Sequence, residues 1–409
     1  MVTAALLGLL LAAPFEAPIQ IDAVRVEGSS LTLDEVVLRE LAFSVPGEVT
    51  PAAWDLSEKR LWNLGVTAGV FSRVDLILEV TDAGNTALIR LEDRIPAGPV
   101  FRFNFGGGRF YLWLGAAYGN VAGRAIEARA FYERFDAHDG FSVSITDPRF
   151  LGERLSLSLQ GEWLCRPRPD FVMRRLAVRL VAEWSPPWWP SDNVRPLLKV
   201  EGNSDTFPFA ATDRLRLSPS MALVVTPGVR LGRVDTIRLR QEGFSIEPRV
   251  ALGWTTEPSD TTSVKADLEA YAYVLMGSRL NLASRLLVGA LSGVRTQDRF
   301  YIGGLDLVRG YLDSEVRATA WGIANLELRV VAFDSTWFAV IPVVFVDAGV
   351  AHPDSGGEAW LASAGAGLRL FVPRLPRFAV RLEGSLTLAP TEATRAFAPG
   401  FNFGIYHFF

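Results

Sequence analysis

The residues from Arg175 to Trp184 read Arg-Leu-Ala-Val-Arg-Leu-Val-Ala-Glu-Trp. Apolar side chains occupy every second position from Leu176 to Trp184, and the other positions include Arg179 and Glu183. This alternation is typical of a β-strand with one apolar and one polar face. The apolar face would lie in the core of a soluble sandwich or against lipid in a transmembrane barrel, whose polar face lines the lumen.

The same period-two pattern continues through most of the chain after Pro96. Many segments are about 9–12 residues long, which suits tilted membrane-spanning strands better than the shorter strands of globular sheets. We therefore predict a mainly β fold, with a transmembrane antiparallel β-barrel of about sixteen strands over residues 100–409. The predicted strands are 109–118, 125–133, 140–147, 155–163, 174–185, 195–203, 214–225, 230–239, 244–255, 261–274, 279–291, 319–331, 338–350, 360–371, 378–388 and 401–409.

The composition argues against several other classes of protein. The net charge of −4, without a concentrated basic stripe, does not favour nucleic-acid binding. The three histidines have no ligand-like spacing, Cys165 is the single cysteine, and the glycine run 106–108 lies outside any strand–loop–helix context. We therefore predict no enzymatic activity, no cofactor and no metal site, with a hydrolase site inside the barrel as the alternative.

The first residues differ from the rest of the chain. Val2 to Ala13 is an apolar run of the length found in signal peptides, and small residues follow it as far as Ala17. The run is too short to cross a bilayer as a helix. We predict a signal peptide over residues 1–17. Because no basic residue precedes the apolar run, a misplaced start or a buried strand or helix are the alternatives.

Residues 19–95 predict a small domain of the order β-α-α-β-β. A strand over 20–27 is followed by a helix with a capping box at Thr32 and by a second helix with Thr50 as its N-cap. Two short strands, 74–79 and 87–91, complete the domain. Any small α/β domain fits this pattern. Its position between an export signal and a barrel makes it resemble a POTRA domain, a periplasmic polypeptide-transport-associated module.

A more specific signal lies in residues 299–311, which read Arg-Phe-Tyr-Ile-Gly-Gly-Leu-Asp-Leu-Val-Arg-Gly-Tyr. The last four residues resemble the Val-Arg-Gly-aromatic motif in the sixth extracellular loop of the BamA/TamA-type outer-membrane assembly factors, the bacterial surface antigen superfamily. The loop that holds them, residues 292–318, follows the eleventh predicted strand and therefore lies outside the cell if both termini are periplasmic. The motif residues are Gly303, Gly304, Val308, Arg309, Gly310 and Tyr311.

A second motif of the same superfamily, Phe-x-Asp-x-Gly on the thirteenth strand, matches Phe345, Asp347 and Gly349. Asp347 alternates with apolar neighbours and should point into the lumen. An arginine–carboxylate pair is strong and directional, and the resemblance implies that Arg309 meets Asp347 inside the barrel. The alternative is that each residue is a solvated lumen charge.

The resemblance extends to both ends of the predicted barrel. Residues 120–123 and 147–152 look like the first two extracellular turns of the family. The chain ends with Phe401, Phe403, Ile405 and Phe409 on one face, similar to the terminal β-signal of outer-membrane barrels, although His407 stands where an apolar residue is usual. The resemblance implies a lateral seam between the first predicted strand, 109–118, and the last, 401–409. Gly404 is consistent with weak pairing there, because glycine weakens a strand interior.

The resemblance implies insertion, assembly or translocation of other proteins at the bacterial outer membrane, with the POTRA-like domain in the periplasm. The expected partners are unfolded outer-membrane or secreted proteins, outer-membrane lipid, and accessory periplasmic proteins or lipoproteins. The small domain would bind clients by β-augmentation, and the seam would template their strands. Known relatives carry several POTRA domains, so the single one here puts docking of accessory proteins in doubt. The alternatives are a passive outer-membrane pore and a secretion pore dedicated to one client.

Overall fold

The fold is described from a computed structural model. The predicted signal segment up to Ala13 and the C-terminal residues 406–409, which include Phe409, lie outside the described residues. The described ranges are 14–68, 70–82, 84–93, 96–152, 154–186, 193–211, 217–237, 239–256, 261–293, 295–304, 307–335, 337–371 and 379–405.

A small region of helices and sheet precedes the barrel. Its elements are β1 (Ile19–Ile21), β2 (Ala23–Glu27), α1 (Asp34–Leu38), β3 (Gly47–Val49), α2 (Pro51–Ala68), β4 (Phe71–Thr81) and β5 (Gly84–Asp93). Strands β2, β5 and β4 form a sheet in that order, with β2 parallel and β4 antiparallel to β5, while β1 pairs with β3. The sequence predicts the order β-α-α-β-β. The structure adds the short strand β3 and divides the predicted strand 20–27 into β1 and β2, which belong to different sheets.

Helix α2 supplies much of the core of this region. The Thr50 side chain accepts a hydrogen bond from the Ala53 amide (3.2 Å), so Thr50 is the N-cap that the sequence predicts. Trp54 and Leu61, two turns apart on one face, are buried. Helix α1 has no side-chain cap, so the capping box predicted at Thr32 does not form.

Sixteen antiparallel strands close into a barrel. In chain order they are β6 (Ala97–Gly106), β7 (Arg109–Val121), β8 (Ile126–Phe135), β9 (His138–Asp147), β10 (Leu155–Pro167), β11 (Phe171–Trp184), β12 (Val194–Ala210), β13 (Ser220–Ile237), β14 (Arg240–Thr256), β15 (Thr261–Met276), β16 (Leu280–Ser292), β18 (Val316–Val330), β20 (Ala339–Pro353), β21 (Ala359–Phe371), β22 (Ala379–Thr387) and β23 (Pro399–Ile405). The short strands β17 (Phe300–Ile302) and β19 (Phe333–Asp334) pair with β18 and β20.

The predicted number of strands is right because two errors cancel. Strand β6 is missing from the prediction, because its first residues, Ala-Gly-Pro, look like a turn. Strand β13 is predicted as two strands, 214–225 and 230–239, because Pro227-Gly228 is typical of a turn. In the structure Pro227 and Gly228 lie inside β13, paired with β12 and, at Gly228, with β14. Each predicted strand that lies between β6 and β13 is therefore numbered one too low.

The missed strand changes the side on which early turns lie. We call the end of the barrel where β6 begins the near end and the other the far end. The turns at 120–123 and 147–152 follow the second and fourth strands and lie at the near end. The loop 292–318 follows the eleventh strand and lies at the far end. The two turns therefore lie at the opposite end of the barrel from the loop 292–318. The prediction that they are extracellular together with that loop is wrong.

Side chains alternate between the two faces of the barrel wall. On β20, Phe345 and Asp347 are buried in the lumen, whereas Val344 and Val346 are more than half exposed on the outside. Leu176 and Val178 on β11 are similarly exposed. A continuous apolar outer surface of this kind fits lipid better than water. In the described part of the chain, no helix combines the length and the hydropathy that a membrane span requires.

We predict that Glu58 makes the stability of the N-terminal region depend on pH. Burial, together with Asp55 and Asp75, raises the pKa of Glu58 from 4.5 to about 7. The unfolded chain therefore loses this proton first, so stability falls as the pH rises from 4.5 to about 7 and is constant above. The Glu58→Gln variant should lose this dependence and gain about 1 kcal/mol above pH 7, a value reduced for solvent screening.

Urea titrations between pH 4 and 8, read by amide exchange of α2 peptides in the full chain, measure this effect. Glu48→Gln, a change at an exposed carboxylate of the same region, is the control. An unaltered pH slope in Glu58→Gln would contradict the prediction.

Candidate functional site

The far-end loop between β16 and β18 folds into the barrel over its described residues, 293, 295–304 and 307–315, and we call it loop six. Its motif residues Val308 and Tyr311 are fully buried, and Arg309 is 2% exposed. The Tyr311 hydroxyl donates to the Ala389 carbonyl (2.7 Å) and accepts from the Ala362 amide (2.9 Å). These bonds hold the end of the motif against β21 and the chain that follows β22.

Arg309 makes a bidentate ion pair with Asp347 on β20. The guanidinium Nε donates to Oδ2 (2.7 Å) and Nη2 donates to Oδ1 (2.6 Å). The Arg309 main-chain amide also donates to Oδ2 (3.1 Å). The guanidinium carbon lies 3.5 Å from the centre of the Phe345 ring, in the position of a cation–π contact. The structure therefore brings together three residues of the two motifs.

Further charges surround this pair. Arg309 Nη1 donates to Glu327 on β18 (2.8 Å) and to Glu383 on β22 (3.3 Å). We call the set the lumen cluster: Arg309, Glu327, Arg329, Asp347, Arg369, Arg381 and Glu383, all less than 9% exposed. Four arginines against three carboxylates leave a charge of +1.

The electrostatic balance keeps the loop arginine charged. Burial by itself would lower the pKa of Arg309, but the hydrogen bonds and charge of Asp347, together with Glu383 and Glu327, raise that pKa above its ordinary value. Removing one partner of such a buried ion pair is strongly destabilising, because the other charge is left buried without compensation. The seated loop therefore depends on carboxylates from three different strands.

Glycines make room for the motif. A Cβ at Gly349 would lie 3.3 Å from Val308 Cγ2, so the absence of a side chain there lets Val308 approach β20. Gly310 has φ +93°, and a Cβ there would lie 3.1 Å from Ser385 Oγ. Gly303 and Gly304, the first two motif residues, lie where the loop folds back against residues 312–315.

The seam lies between β6 and β23, not between 109–118 and 401–409 as the sequence analysis expected. In the described residues the two strands pair at three positions, 103–105 with 405–403. Phe403 packs edge-on against Phe103 with ring centres 5.4 Å apart, while Phe401 is exposed on the outside. A Cβ at Gly404 would lie 2.5 Å from the Asn104 amide. Gly404 therefore provides clearance for Asn104, in addition to the weak pairing predicted for it.

Loop six also touches both sides of the seam at the far end. The Asp313 amide donates to the Gly107 carbonyl (2.9 Å) in the turn that follows β6. Glu315 accepts hydrogen bonds from Thr394 (2.8 Å) and Thr391 in the chain that precedes β23. The loop is thus bonded to the neighbours of the first and the last strand.

Sequence reasoning missed part of this site. Arg381 and Glu383 stand on the polar face of an alternating segment, so their direction was visible in the sequence, but their contact with Arg309 was not. Glu327 belongs to β18, whose alternating polar positions carry the same signal. The position of Glu327 at the centre of the lumen cluster is visible only once the strands are paired. Among the described residues no group of histidine, cysteine and carboxylate side chains is arranged to hold a metal.

The fold and the lumen cluster define a class: a sixteen-stranded transmembrane β-barrel of outer-membrane type with a loop anchored in its lumen. Residues 237–409, which include loop six and Asp347, match the Omp85 superfamily domain. The predicted resemblance to the superfamily is confirmed over these residues. No curated protein matches the sequence.

Three solved structures share the fold over nearly the whole chain. BamA from Haemophilus ducreyi lacking POTRA domains 1–3 is 16% identical, with a TM-score of 0.62, and the alignment covers 95% of this chain and 84% of that one. CdiB from Acinetobacter baumannii is 14% identical (TM-score 0.65; 94% and 73% covered). CdiB from Escherichia coli is 12% identical (TM-score 0.66; 95% and 76% covered).

We predict that Arg309→Ala unseats loop six and leaves the barrel folded. Removal of the guanidinium leaves the buried Asp347 carboxylate without a charged partner and with two neutral donors, the Asn325 amide and the main-chain amide of residue 309, at a cost of about 3–5 kcal/mol. Protease cleavage within residues 297–318 of intact cells measures the effect. Arg395→Ala, which removes an exposed arginine at the far end, should cleave like the parent. Equal protection in Arg309→Ala would argue against the anchoring role.

We predict that Gly349→Val disturbs the same loop by steric means. The new side chain would meet Val308 and Ile323, and overpacking costs about 1–3 kcal/mol. The temperature at which the barrel loses its compact mobility in detergent gels should fall, and loop six should become cleavable. Gly384→Val is the matched control, since a Cβ there would meet no atom within 4 Å. A similar change in both variants would show that the Val308 contact is not the cause.

Proposed function

We propose that this protein inserts or translocates other proteins at the bacterial outer membrane, with the near end of the barrel and the N-terminal region in the periplasm. The observation that carries the proposal is the seam, where the barrel closes between its first and last strands, β6 and β23. In the described residues Phe103–Phe105 pair with Ile405–Phe403, and no hairpin turn joins the two strands, because they are the first and the last of the barrel.

The seam can open without straining a turn, because its two strands are not consecutive in the chain. Opening it costs the ladder hydrogen bonds, each of which contributes about 0.5–1.5 kcal/mol net. The open strands would then present unpaired amides and carbonyls in lipid, where such groups must find partners. An incoming strand of another protein supplies them, which makes each open edge a template.

The N-terminal sheet offers a second pairing surface. Strands β2 and β4 are the edges of the three-stranded sheet, with β5 between them. An extended segment of an unfolded client can add to such an edge through main-chain hydrogen bonds, whatever its sequence. Client binding by β-augmentation before transfer to the seam therefore fits this architecture. No cofactor or covalent step is needed.

The lumen cluster favours this proposal over a passive pore. Loop six and seven buried charged residues occupy the interior at the level of Asp347. A passive pore would need an unobstructed lumen for solutes. A secretion pore dedicated to one client is the remaining alternative, and the experiment below separates it from general assembly.

We predict that a disulfide across the seam blocks function reversibly. In a Cys165→Ser background, Phe105→Cys with Phe403→Cys places two thiols at a register pair of the seam. The variant replaces the parent in depleted cells, and the abundance of every outer-membrane barrel is measured. Under oxidation we expect a broad, several-fold fall with accumulation of unfolded precursors, and recovery on reduction.

The matched control is Leu326→Cys with Val346→Cys, a register pair of exposed residues between β18 and β20, away from the seam. This pair should leave barrel abundance unchanged under oxidation. Loss of a single client would indicate a dedicated secretion pore. A normal barrel profile with the seam locked would overturn the assembly function, and solute uptake would then be compared.

A further inference from the structure

The two strands of the seam carry the same tetrapeptide. Residues 103–106 of β6 and residues 401–404 of β23 both read Phe-Asn-Phe-Gly. The strands run antiparallel, and Phe105 is the register partner of Phe403. A local two-fold axis through this pair therefore relates the tetrapeptides, as in an isologous interface.

The repeat places each asparagine opposite a glycine. Asn104 is the register partner of Gly404, and the Asn402 amide lies directly over Gly106. Both asparagines face the lumen and are buried, at 5% and 2% exposure. A Cβ at Gly404 would be 2.5 Å from the Asn104 amide, and one at Gly106 would be closer still to the Asn402 amide. No side chain larger than hydrogen fits opposite either asparagine without displacing it.

Asn104 is held in place from its own strand. In the amide orientation that satisfies both of its groups, the Asn104 oxygen accepts hydrogen bonds from the Arg102 guanidinium (3.1 and 3.2 Å) and the nitrogen donates to the Phe103 carbonyl (2.9 Å). Arg102 in turn lies over the rings of Tyr111 and Trp113 on β7. None of these partners belongs to the last strand, so the contacts that hold Asn104 do not require β23.

We propose that Asn104 and Gly106 are the specificity-determining residues of the open β6 edge, and that they select a client strand carrying the pattern aromatic–Asn–aromatic–Gly. The client glycine lies opposite Asn104 and the client asparagine fills the space above Gly106, while the aromatic side chains face lipid. Because a shift by one residue would turn the asparagine to the lipid face, the same contacts fix the register. This inference rests on the proposed function, for which it names the class of client strand.

The test uses the full-length chain in lipid nanodiscs and a synthetic peptide of residues 397–409 with a benzophenone side chain in place of Phe401. We expect photo-crosslinks to β6. A peptide with Gly404→Val should crosslink about tenfold less, because the side chain collides with Asn104. The chain variant Asn104→Gly should restore labelling by that peptide to within about threefold of the parent pair. A peptide with Ile405→Val, a change away from both asparagines, is the control.

Equal labelling by the parent and Gly404→Val peptides would overturn the proposal. Failure of Asn104→Gly to restore labelling would overturn it as well, and so would absence of labelling by any peptide. Compact mobility of Asn104→Gly in detergent gels confirms that the variant folds. Peptide selectivity is measured without any assembly reaction. Selective labelling combined with a normal barrel profile in the seam-locked cells would therefore support this inference and reject the assembly function.

Discussion

A guanidinium removed from water must be surrounded by carboxylates and hydrogen-bond acceptors, and Arg309 meets this condition only with loop six inside the barrel. Its carboxylate partners come from β18, β20 and β22. Each points inward only if its strand keeps its register, because a slip of one residue would turn it toward lipid. The position of loop six and the register of the strands in the C-terminal half of the barrel therefore depend on the same set of ion pairs.

The proposed function would place two opposing requirements on the seam. Lipid demands that every backbone group be paired, which favours complete closure, whereas templating of another strand demands that one ladder be easy to part. Strands β6 and β23 close the described barrel, and the asparagine–glycine contacts fill the lumen side of the seam.

The sequence determined the class of fold and the two ends of the ion pair, because alternation assigns a face to each residue and Arg309 and Asp347 lie in recognisable motifs. It did not locate β6, since Ala-Gly-Pro resembles a turn, or the unity of β13, since Pro227-Gly228 does as well. A local sequence signal for a turn cannot show that the same residues are instead paired with neighbouring strands. The contacts of Glu327 and Glu383 with Arg309 could not be predicted without the register of three strands. The repeated Phe-Asn-Phe-Gly was visible in the sequence, but its meaning depended on knowing that the two copies face each other.

Loop six is bonded to the Gly107 turn on one side of the seam and, through Glu315, to the chain before β23 on the other. Seating of the loop and closure of the far end are therefore thermodynamically linked. Whatever free energy the seated loop adds to the closed seam, the closed seam adds to the seated loop. A client that parts the strands would weaken the hold of Asp347 on Arg309, and a molecule that drew the loop outward would make the seam easier to part by the same factor.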